Sequence, residues 1–570
     1  MSGRPRAKCP VLPAAAGGLA LMLAISPDGS AQDAPLFTRP FDGVPVPALE
    51  LYLRIVPLEQ INFENDDKRH LDVGGGPDSL PADLPPRFTD DRTTRSTSGM
   101  TTGGSYFGQF VDHDLTLTRL RFDELLIEPF VFRYHETEGS FQNRRTPGFD
   151  LDPLYRISPL EYPSTPENLG PWDLSNLRFR FSINRSGALD FIRGGSGIAI
   201  IGDPRNDITG VIGQLHRAFM KLHNVQVDKI IIRDRIDELS LEFLSEQWWD
   251  IFNEARNYTT AYYQGIVCNE LAQQLTGRTL FEAIQDPRQP LGPVGAPHVT
   301  VEFAGGAFRL HTLIPTEVQV APDTFLDPID EQLRNGVPWP YLFGPTAPLA
   351  GKLDAAVAAP LRQIVSLIIP GIQIPITLDL AQVNLLRGRE MKLPSGEEYL
   401  ALLMDELRLD PKNTSTIRGK LILTPRTAAA ILDPRDDADL LADIINGDTD
   451  LWAYILIEGE LNDGVLGPVG QDIIERNWAE LLLADDWSLL GKYSDQFTPK
   501  QMDFFRSATF GRLLDEILSP ADFDSDGRVG ILDLLFLLAE WGESDSPADL
   551  NADGTVDVAD LILLWEEWGF

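Results

Sequence analysis

Three polar residues stand close together in the segment FGQFVDHDLTLT: Gln109, Asp112 and His113. Spacings of three and four residues place their side chains on one face of a helix. An amide, a carboxylate and an imidazole on an otherwise apolar face are costly to bury unless each finds a partner. The segment therefore predicts either a structural hydrogen-bond network or a site in which the imidazole moves a proton.

Two twelve-residue segments near the C-terminus repeat one pattern of carboxylates, DFDSDGRVGILD (522–533) and DLNADGTVDVAD (549–560). In a calcium loop, positions 1, 3, 5 and 12 supply side-chain oxygens, position 6 is a glycine in a sharp turn, and position 7 offers its backbone carbonyl. Gly527 and Gly554 stand at position 6. The predicted calcium ligands are Asp522, Asp524, Asp526, Arg528 and Asp533 in the first loop, and Asp549, Asn551, Asp553, Thr555 and Asp560 in the second.

Each loop is followed by an apolar stretch that ends in a Trp-Gly pair, at Trp541 and again at Trp568. Position 12 is Asp and not the Glu of an ordinary EF-hand. The repeat resembles the dockerin type I module, and this resemblance implies paired calcium loops and a surface that docks a partner protein. A solvated acidic turn is the alternative, but two copies make a chance match improbable. We assign residues 516–570 to this small α module.

The charge composition of the chain limits the classes of partner that it can bind. The chain has 570 residues with 48 Lys and Arg against 85 Asp and Glu, a net charge of −37. Such a balance repels a phosphate backbone, so nucleic acid is a poor partner. Hydrophobic residues make up 43%, which is ordinary globular usage. The chain is therefore expected to fold into a large core.

Residues 1–31 have the layout of a secretory signal peptide: three basic residues, the 15-residue apolar run Val11–Ile25, and then small residues. The run is shorter than the roughly 20 residues that span a bilayer, so we expect export and no transmembrane segment in the mature chain. The predicted location is extracellular, periplasmic or cell-surface associated. With Cys9 in the signal segment and only Cys268 after it, a disulfide framework is excluded.

Elements that position the polar segment are mainly helical. Residues 32–96 are rich in Pro, Gly and Asp and read as an extended arm, and 32–515 are predicted to form one large domain. Apolar periodicity predicts helices over residues 106–117, 211–232, 236–268 with a continuation to 274, 397–407 and 472–483. Strand patterns are few and short.

Four blocks occur in a fixed order: FGQFVDHDLTLT, GDPRND with Arg205, GGAFRLHTLIP with His311, and DLAQVNLLRGRE with Asn384. Their joint order resembles the animal-type heme peroxidases of the peroxidase-cyclooxygenase superfamily, from roughly residue 42 to 514. The resemblance implies a mainly α-helical fold that holds heme b between helices.

The resemblance also implies roles on the two sides of the heme. His113 would be the distal base that takes a proton from hydrogen peroxide and returns it to the leaving oxygen. Arg205 would stabilise the charge that develops, and Gln109 would hydrogen-bond the distal ligand or water. His311 would ligate the iron, and Asn384 would accept its other ring proton.

Arg309 and Arg387 are candidates to pair with the heme propionates. The segment FRLHTLI is one residue shorter between Arg309 and His311 than is usual in the family, which leaves the role of Arg309 open. Asp112 matches the position whose carboxylate forms an ester with the heme. The second ester position, usually Glu, is Ile208 here, so at most one covalent link is expected.

A further calcium site is implied on the distal side. Asp114 matches the family's distal calcium ligand, and TPGFDLD supplies Thr146, the Gly148 carbonyl, Asp150 and Asp152. Oxygen-only ligands suit calcium. His216 and His223, seven residues apart on one helical face, are interpreted as packed structural histidines.

The predicted function is a secreted heme peroxidase that reduces hydrogen peroxide through a ferryl intermediate and oxidises a small donor: halide, thiocyanate or a phenol. One alternative is a fatty-acid dioxygenase of the same superfamily, which needs a tyrosine three residues before the proximal histidine; that position is Phe308, and neither it nor Ala307 has a hydroxyl. Another alternative is a calcium-dependent docking or matrix protein with an inactive peroxidase domain.

Overall fold

The computed structural model describes residues 88, 99–116, 145–166, 168–195, 197–289, 291, 297–362, 364–366, 376–492, 494–523, 529–544, 546–551 and 553–566. The signal peptide at 1–31 and, apart from Phe88, the arm at 32–96 lie outside these residues, as do Asp524, Asp526 and Arg528. Export and the arm therefore stay predictions. All described residues belong to one compact unit, Ile61–Phe570.

Helices dominate the described residues, which confirms the predicted mainly α class. The first six are α1 (Thr102–Leu115), α2 (Asp152–Tyr155), α3 (Gly210–Asp234), α4 (Glu246–Ile266), α5 (Ala272–Thr276) and α6 (Leu280–Ile284). The next six are α7 (Leu380–Glu390), α8 (Gly396–Glu406), α9 (Pro425–Ala428), α10 (Ala438–Asn446), α11 (Leu451–Leu461) and α12 (Pro468–Ala484). The last four are α13 (Pro499–Arg506), α14 (Phe510–Ile517), α15 (Ile531–Ala539) and α16 (Val558–Glu566).

Strands in the described part of the chain form four two-stranded antiparallel hairpins. They are β1 (Phe181–Ile183) with β2 (Leu189–Phe191), β3 (Val318–Ala321) with β4 (Thr324–Leu326), β5 (Ile364–Ser366) with β6 (Ile376–Leu378), and β7 (Thr416–Ile417) with β8 (Lys420–Leu421). None of the helices searched in the described residues is both long and apolar enough to cross a membrane.

The helix predicted from Ile236 was wrong at its start. Helix α3 ends at Asp234, where Arg235 adopts a left-handed conformation with φ 52°, and α4 begins ten residues after Ile236, at Glu246. The Ser245 side chain accepts a hydrogen bond from the Trp248 amide, and this cap sets the boundary. Helical periodicity continues through 236–245, but periodicity alone does not mark a cap.

Aromatic side chains form the core in which α1 lies. Phe110 of α1 stacks on Phe219 of α3 with centroids 5.4 Å apart, and Phe219 meets the edge of Tyr263 of α4 at 5.6 Å. Phe107 contacts Phe510 of α14 edge to face at 5.6 Å. These offset and edge-to-face contacts are the preferred aromatic geometries, and they fix α1 between helices that are distant in sequence.

A second cluster of buried apolar residues belongs to the C-terminal segment and consists of Ala521, Val529, Leu537, Ala548, Val556 and Leu564. Leu537 lies on α15 and Leu564 on α16, so the two short helices bury one side each against their own loops. Helix α14, which precedes this cluster, runs without interruption across residue 515.

Gly103 allows a close approach at the start of α1. A Cβ atom there would lie 2.5 Å from the Leu342 carbonyl oxygen and 2.6 Å from the Phe343 ring. The Gly103 amide donates to that same carbonyl at 2.9 Å. The backbone of α1 therefore touches the 342–343 segment directly.

We predict that Gly103→Ala lowers the free energy of unfolding by about 1–3 kcal/mol, because the added methyl group overpacks this contact. Gly108→Ala on the same helix is the control. Its Cβ would meet only Leu271 Cδ1, at 3.8 Å, and alanine favours a helix interior by roughly 0.5–1 kcal/mol. Urea unfolding of both variants checks this, and equal stabilities would contradict the close contact.

Candidate functional site

A cavity lies between α1 and the segment around His311. Gln109 and Asp112 line it from α1, while Phe308, His311 and Ile314 line it from the other side. Most of the remaining lining residues are apolar: Met100, Gly104, Gly108, Leu271, Leu275, Leu310 and Leu313, with Ser105. His113 and Arg205 are not part of this lining. The predicted distal helix and proximal histidine thus face one apolar cavity.

His113 is buried, and its Nδ1 lies 2.6 Å from Asn206 Oδ1. Burial lowers the pKa of His113 to about 4; Arg205 lowers it further, while Asp203 and Asp112 oppose the shift. The imidazole is therefore neutral near pH 7, the state that can accept a proton.

Arg205 sits in a 3₁₀ turn, Pro204–Asp207, that Asp203 caps through the Arg205 amide. The Arg205 Nη2 donates to Asp203 Oδ2 at 2.6 Å, and to the carbonyls of His113 at 3.0 Å and Thr116 at 2.7 Å. The guanidinium therefore holds the carboxyl end of α1. Arg145, which is fully buried, also pairs with Asp203. Burial would raise the pKa of Asp203, but Arg205 and Arg145 hold it well below its usual range.

Asp112 pairs with Arg309. Arg309 Nη1 donates to Asp112 Oδ2 at 2.9 Å, and Thr116 Oγ1 donates to Asp112 Oδ1 at 2.7 Å. Burial raises the pKa of Asp112, but Arg309 and then Arg205 outweigh it, so the pKa lies below its usual value. Both carboxylate oxygens are engaged, and an ester at this position would break one of these bonds. The structure thus gives Arg309 a partner other than the predicted propionate.

His311 lies in the 3₁₀ turn His311–Leu313, which follows a π-helical segment, Phe303–Ala307. Its Nδ1 is 2.9 Å from Asn384 Nδ2 on α7. The predicted pair is therefore brought together, but the amide nitrogen faces the ring and donates. The predicted accepting role requires the amide rotated by 180°, which exchanges two atoms of similar size. In either orientation Nε2 of His311 makes no part of this bond.

Cations crowd the same region. Arg387 follows Asn384 by one turn of α7, and its pKa is lowered to about 9 by burial and by Arg309. Burial also lowers the pKa of Arg309, with Arg205 contributing. Asp112 and Asp203 supply two negative charges in this region. The positive charges outnumber them, and they come from Arg205, Arg309, Arg387 and Arg145. A group with carboxylates fits this excess of positive charge.

The residues of the implied distal calcium site also meet. Thr146 Oγ1 donates to Asp150 Oδ2 at 2.7 Å, and the Thr146 amide donates to Asp152 Oδ2 at 3.2 Å. Burial raises the pKa of Asp150 to about 8, and Asp152 adds to the rise; burial together with Asp150 and Asp152 raises that of Asp114 well above its usual value. Within the described ranges no group of three acidic, His or Cys side chains has the geometry of a metal site.

In the C-terminal loops, the position-12 carboxylates bind backbone amides. Asp533 accepts from Phe523 at 2.6 Å and from Gly530 at 2.7 Å. Asp560 accepts from Asn551 at 3.1 Å and from Asp557 at 2.7 Å. Asp549 accepts from the amides of Asp553 and Gly554, and Asp553 accepts from that of Thr555. Asp522 is buried. Within the described residues, each position-12 carboxylate is thus held by backbone amides of its own repeat.

Sequence reasoning missed Asn206, Asp203 and Arg145. The first two flank Arg205 in GDPRND, so a polar residue on each side of the arginine was the available signal. Arg145 offered none, because its partner lies 58 residues later in the chain.

Comparison with known proteins identifies the class. The family model described as animal haem peroxidase matches residues 184–522, more than half of the chain, and the chain belongs to this family. Heme binding follows from the family. The matched range contains Arg205, His311 and Asn384, whereas α1 precedes it.

Individual relatives are more distant. The chain is 26% identical to chorion peroxidase of Drosophila melanogaster over 286 residues, 46% of this chain and 33% of that protein. The match therefore spans about a third of the curated relative's length. Peroxidase A from Dictyostelium discoideum superposes with a TM-score of 0.51 and 15% identity over 77% of this chain and 89% of that one. Oryza sativa fatty acid alpha-dioxygenase superposes with a TM-score of 0.51 and 16% sequence identity over 82% of this chain and 80% of that one. At these identities the structures show a shared fold alone.

We predict that Arg309→Leu costs about 3–5 kcal/mol of unfolding free energy, because it leaves the buried Asp112 carboxylate without its cation. The double variant Asp112→Asn/Arg309→Leu recovers most of this loss, since no ionised carboxylate remains. Urea unfolding of the cycle is the measurement.

The surface pair Arg389–Asp450 supplies the control; it is 2.8 Å long, but its side chains are 44% and 30% exposed. Arg389→Leu should cost about 0–1 kcal/mol. A double variant no more stable than Arg309→Leu would argue against a buried ion pair at Asp112.

Proposed function

We propose that the protein is a secreted heme peroxidase that reduces hydrogen peroxide and oxidises a small donor: halide, thiocyanate or a phenol. The observation that carries the proposal is a buried, neutral His113 beside the Arg205 cation, on the helix that shares a cavity with His311. A neutral imidazole next to a fixed positive charge is suited to accept one proton and to work where negative charge develops.

The residues fit heme. The cavity is mostly apolar, and burial keeps His311 neutral by lowering its pKa to about 3, with Arg309 adding to the shift. With the Asn384 amide oxygen turned towards His311 Nδ1–H, the lone pair on Nε2 is available to a metal. Heme bound there would supply the iron and the electrons that peroxide reduction consumes. His311 would hold the iron, Asn384 would orient His311, and Arg387 would pair with a propionate.

On the distal side, His113 takes the proton from one oxygen of hydrogen peroxide. It delivers this proton to the other oxygen, which leaves as water. Arg205 holds a positive charge beside this transfer, and Asp203 and the two carbonyls hold Arg205 in place. Gln109 lines the cavity and hydrogen-bonds the incoming ligand or water.

We propose at most one covalent link between the protein and heme, an ester through Asp112. Extraction into acidified organic solvent tests whether the heme is covalently linked to the protein.

The dioxygenase alternative is disfavoured by Phe308. This residue lines the cavity three positions before His311, stacks on Phe303 with centroids 4.9 Å apart, and meets Trp478 at 5.5 Å. A tyrosyl radical requires a hydroxyl that this ring lacks. Oxygenation of a long-chain fatty acid by the purified protein would overturn the argument.

We predict that the heme-loaded protein shows a ferric Soret band that shifts within milliseconds of adding one equivalent of hydrogen peroxide. His311→Ala should abolish or strongly weaken the band, whereas His113→Ala should keep it and slow the peroxide reaction by about 10²–10⁴-fold, the usual worth of a general base. Stopped-flow absorption is the measurement. A His113→Ala rate equal to wild type would refute the base assignment, and a protein without heme would support the docking or matrix alternative.

Calcium is proposed at two kinds of site. Asp114 Oδ1 and Asp150 Oδ1 are buried and accept no hydrogen bond from the described residues. A cation would relieve the repulsion among these carboxylates and Asp152. In the C-terminal repeat, the loop pattern and the amide-bound Asp533 and Asp560 support one ion per loop.

We predict that the full chain binds about three calcium ions. Truncation at Ser519 should leave one, and Asp114→Asn in the truncated chain should leave none, because each change removes carboxylate ligands. Elemental analysis of dialysed protein provides the count. The truncated protein should react with peroxide at the wild-type rate, since the C-terminal cluster consists only of residues 521–564. Loss of that reaction would refute a division of the chain near Ser519.

A docking function is proposed for the C-terminal module. Its two helices expose large apolar side chains, among them Leu532, Leu535, Ile562 and Trp565, which are 53–65% exposed. Contiguous exposed apolar residues mark protein interaction sites. The partner would be a protein with an apolar face. Truncation at Ser519 should abolish calcium-dependent binding to it and leave peroxide turnover intact.

A further inference from the structure

Asn206 stands between two buried histidines that are far apart in sequence. Its Oδ1 lies 2.6 Å from His113 Nδ1, and its Nδ2 lies 3.0 Å from His216 Nδ1 on α3. Asn206 and His216 have no exposed surface, and His113 is 6% exposed. The three side chains form a continuous hydrogen-bonded chain away from the cavity, which we name the distal relay.

The chemistry of the distal relay restricts where protons sit. A primary amide offers one accepting oxygen and one donating nitrogen, and a neutral imidazole has one N–H and one lone pair. As the amide is oriented in the structure, its oxygen accepts from His113 Nδ1–H, and its N–H donates to His216 Nδ1. The lone pair of His113 is left on Nε2.

The frame around the distal relay fixes the amide. The Asn206 backbone amide donates to the Asp203 carbonyl at 3.1 Å, within the 3₁₀ turn that precedes α3. The His216 ring is held by the edges of Phe191 and Phe110, with centroids 5.0 and 6.1 Å away. Neither neighbour offers Asn206 a second acceptor. In this orientation His216 Nδ1 receives the amide proton, and the amide oxygen lies towards His113.

We propose that Asn206 and His216 are positioning residues that hold His113 in the Nδ1–H tautomer, with Nε2 as the base for peroxide. This inference rests on the proposed function. The sequence predicted only structural packing for His216. The proposal adds a second role, because an acceptor at His216 keeps the Asn206 amide oxygen turned towards His113.

The test compares four variants of the heme-loaded full chain. Asn206→Leu keeps the size of the side chain without hydrogen bonding, and His216→Phe keeps a ring without an acceptor. His216→Gln restores an acceptor. The matched control is His223→Phe on the same helix, because His223 is equally buried but binds Tyr155 and the Leu177 carbonyl and not the distal relay.

Two rates are measured by the Soret shift: reaction with hydrogen peroxide, and binding of hydrogen cyanide, which also surrenders a proton to a distal base but undergoes no turnover. Asn206→Leu and His216→Phe should slow both at least tenfold, while His216→Gln stays within about threefold of wild type. His223→Phe should lower thermal stability and leave both rates unchanged. Wild-type rates in Asn206→Leu and His216→Phe, or equal slowing in His223→Phe, would overturn the proposal.

Tautomers are read independently from imidazole ¹⁵N shifts of histidine-labelled full chain, with His113→Ala used for assignment. A protonated Nδ1 on His113 that is lost in Asn206→Leu supports the distal relay, and a protonated Nε2 overturns it. This measurement separates the two hypotheses. If wild-type protein ignores peroxide, the proposed function fails while the shifts still decide the tautomer; if His113→Ala alone is slow, the function stands and the distal relay fails.

Discussion

Three consecutive ionisable residues, Asp112, His113 and Asp114, are buried at the end of one helix, and the cost of burying them organises the surrounding structure. Each needs its own compensation, because an isolated charge or unpaired polar group in the interior costs several kcal/mol. Asp112 finds Arg309 and Thr116, and His113 finds Asn206. Asp114 faces Asp150 and Asp152, and burial together with these two carboxylates raises its pKa. A single turn of α1 therefore joins three separate parts of the chain.

Arg205 connects these compensations. Its guanidinium binds the carbonyls of His113 and Thr116 at the end of α1, where the helix leaves carbonyls without internal partners. Asp203 neutralises it, and Arg145 neutralises Asp203 in turn. Arg205, for which charge stabilisation is proposed, thus also holds the end of the helix that bears His113. Removing its charge would disturb both functions, so the distal relay variants are the cleaner probe of His113.

The C-terminal segment follows another principle. Its core is a small cluster of apolar residues, and the carboxylates of Asp533 and Asp560 accept hydrogen bonds from backbone amides of their own repeats. Carboxylates crowded into twelve residues repel one another, and calcium binding would offset that repulsion. The large apolar side chains on α15 and α16 point to a different use for this part of the chain, namely contact with another protein.

The amino-acid sequence by itself determined the mainly α class, several helices, and the pairing of His311 with Asn384 through the family resemblance, because apolar periodicity and ordered motifs are local signals. It could not mark the start of α4, which depends on the Ser245 cap. The Asp112–Arg309 pair joins residues 197 positions apart, and the His113–Asn206 bond spans 93. Only the tertiary structure decided these contacts, since no spacing rule relates side chains that meet through folding, and the burial that makes such contacts necessary exists only after α1 is packed.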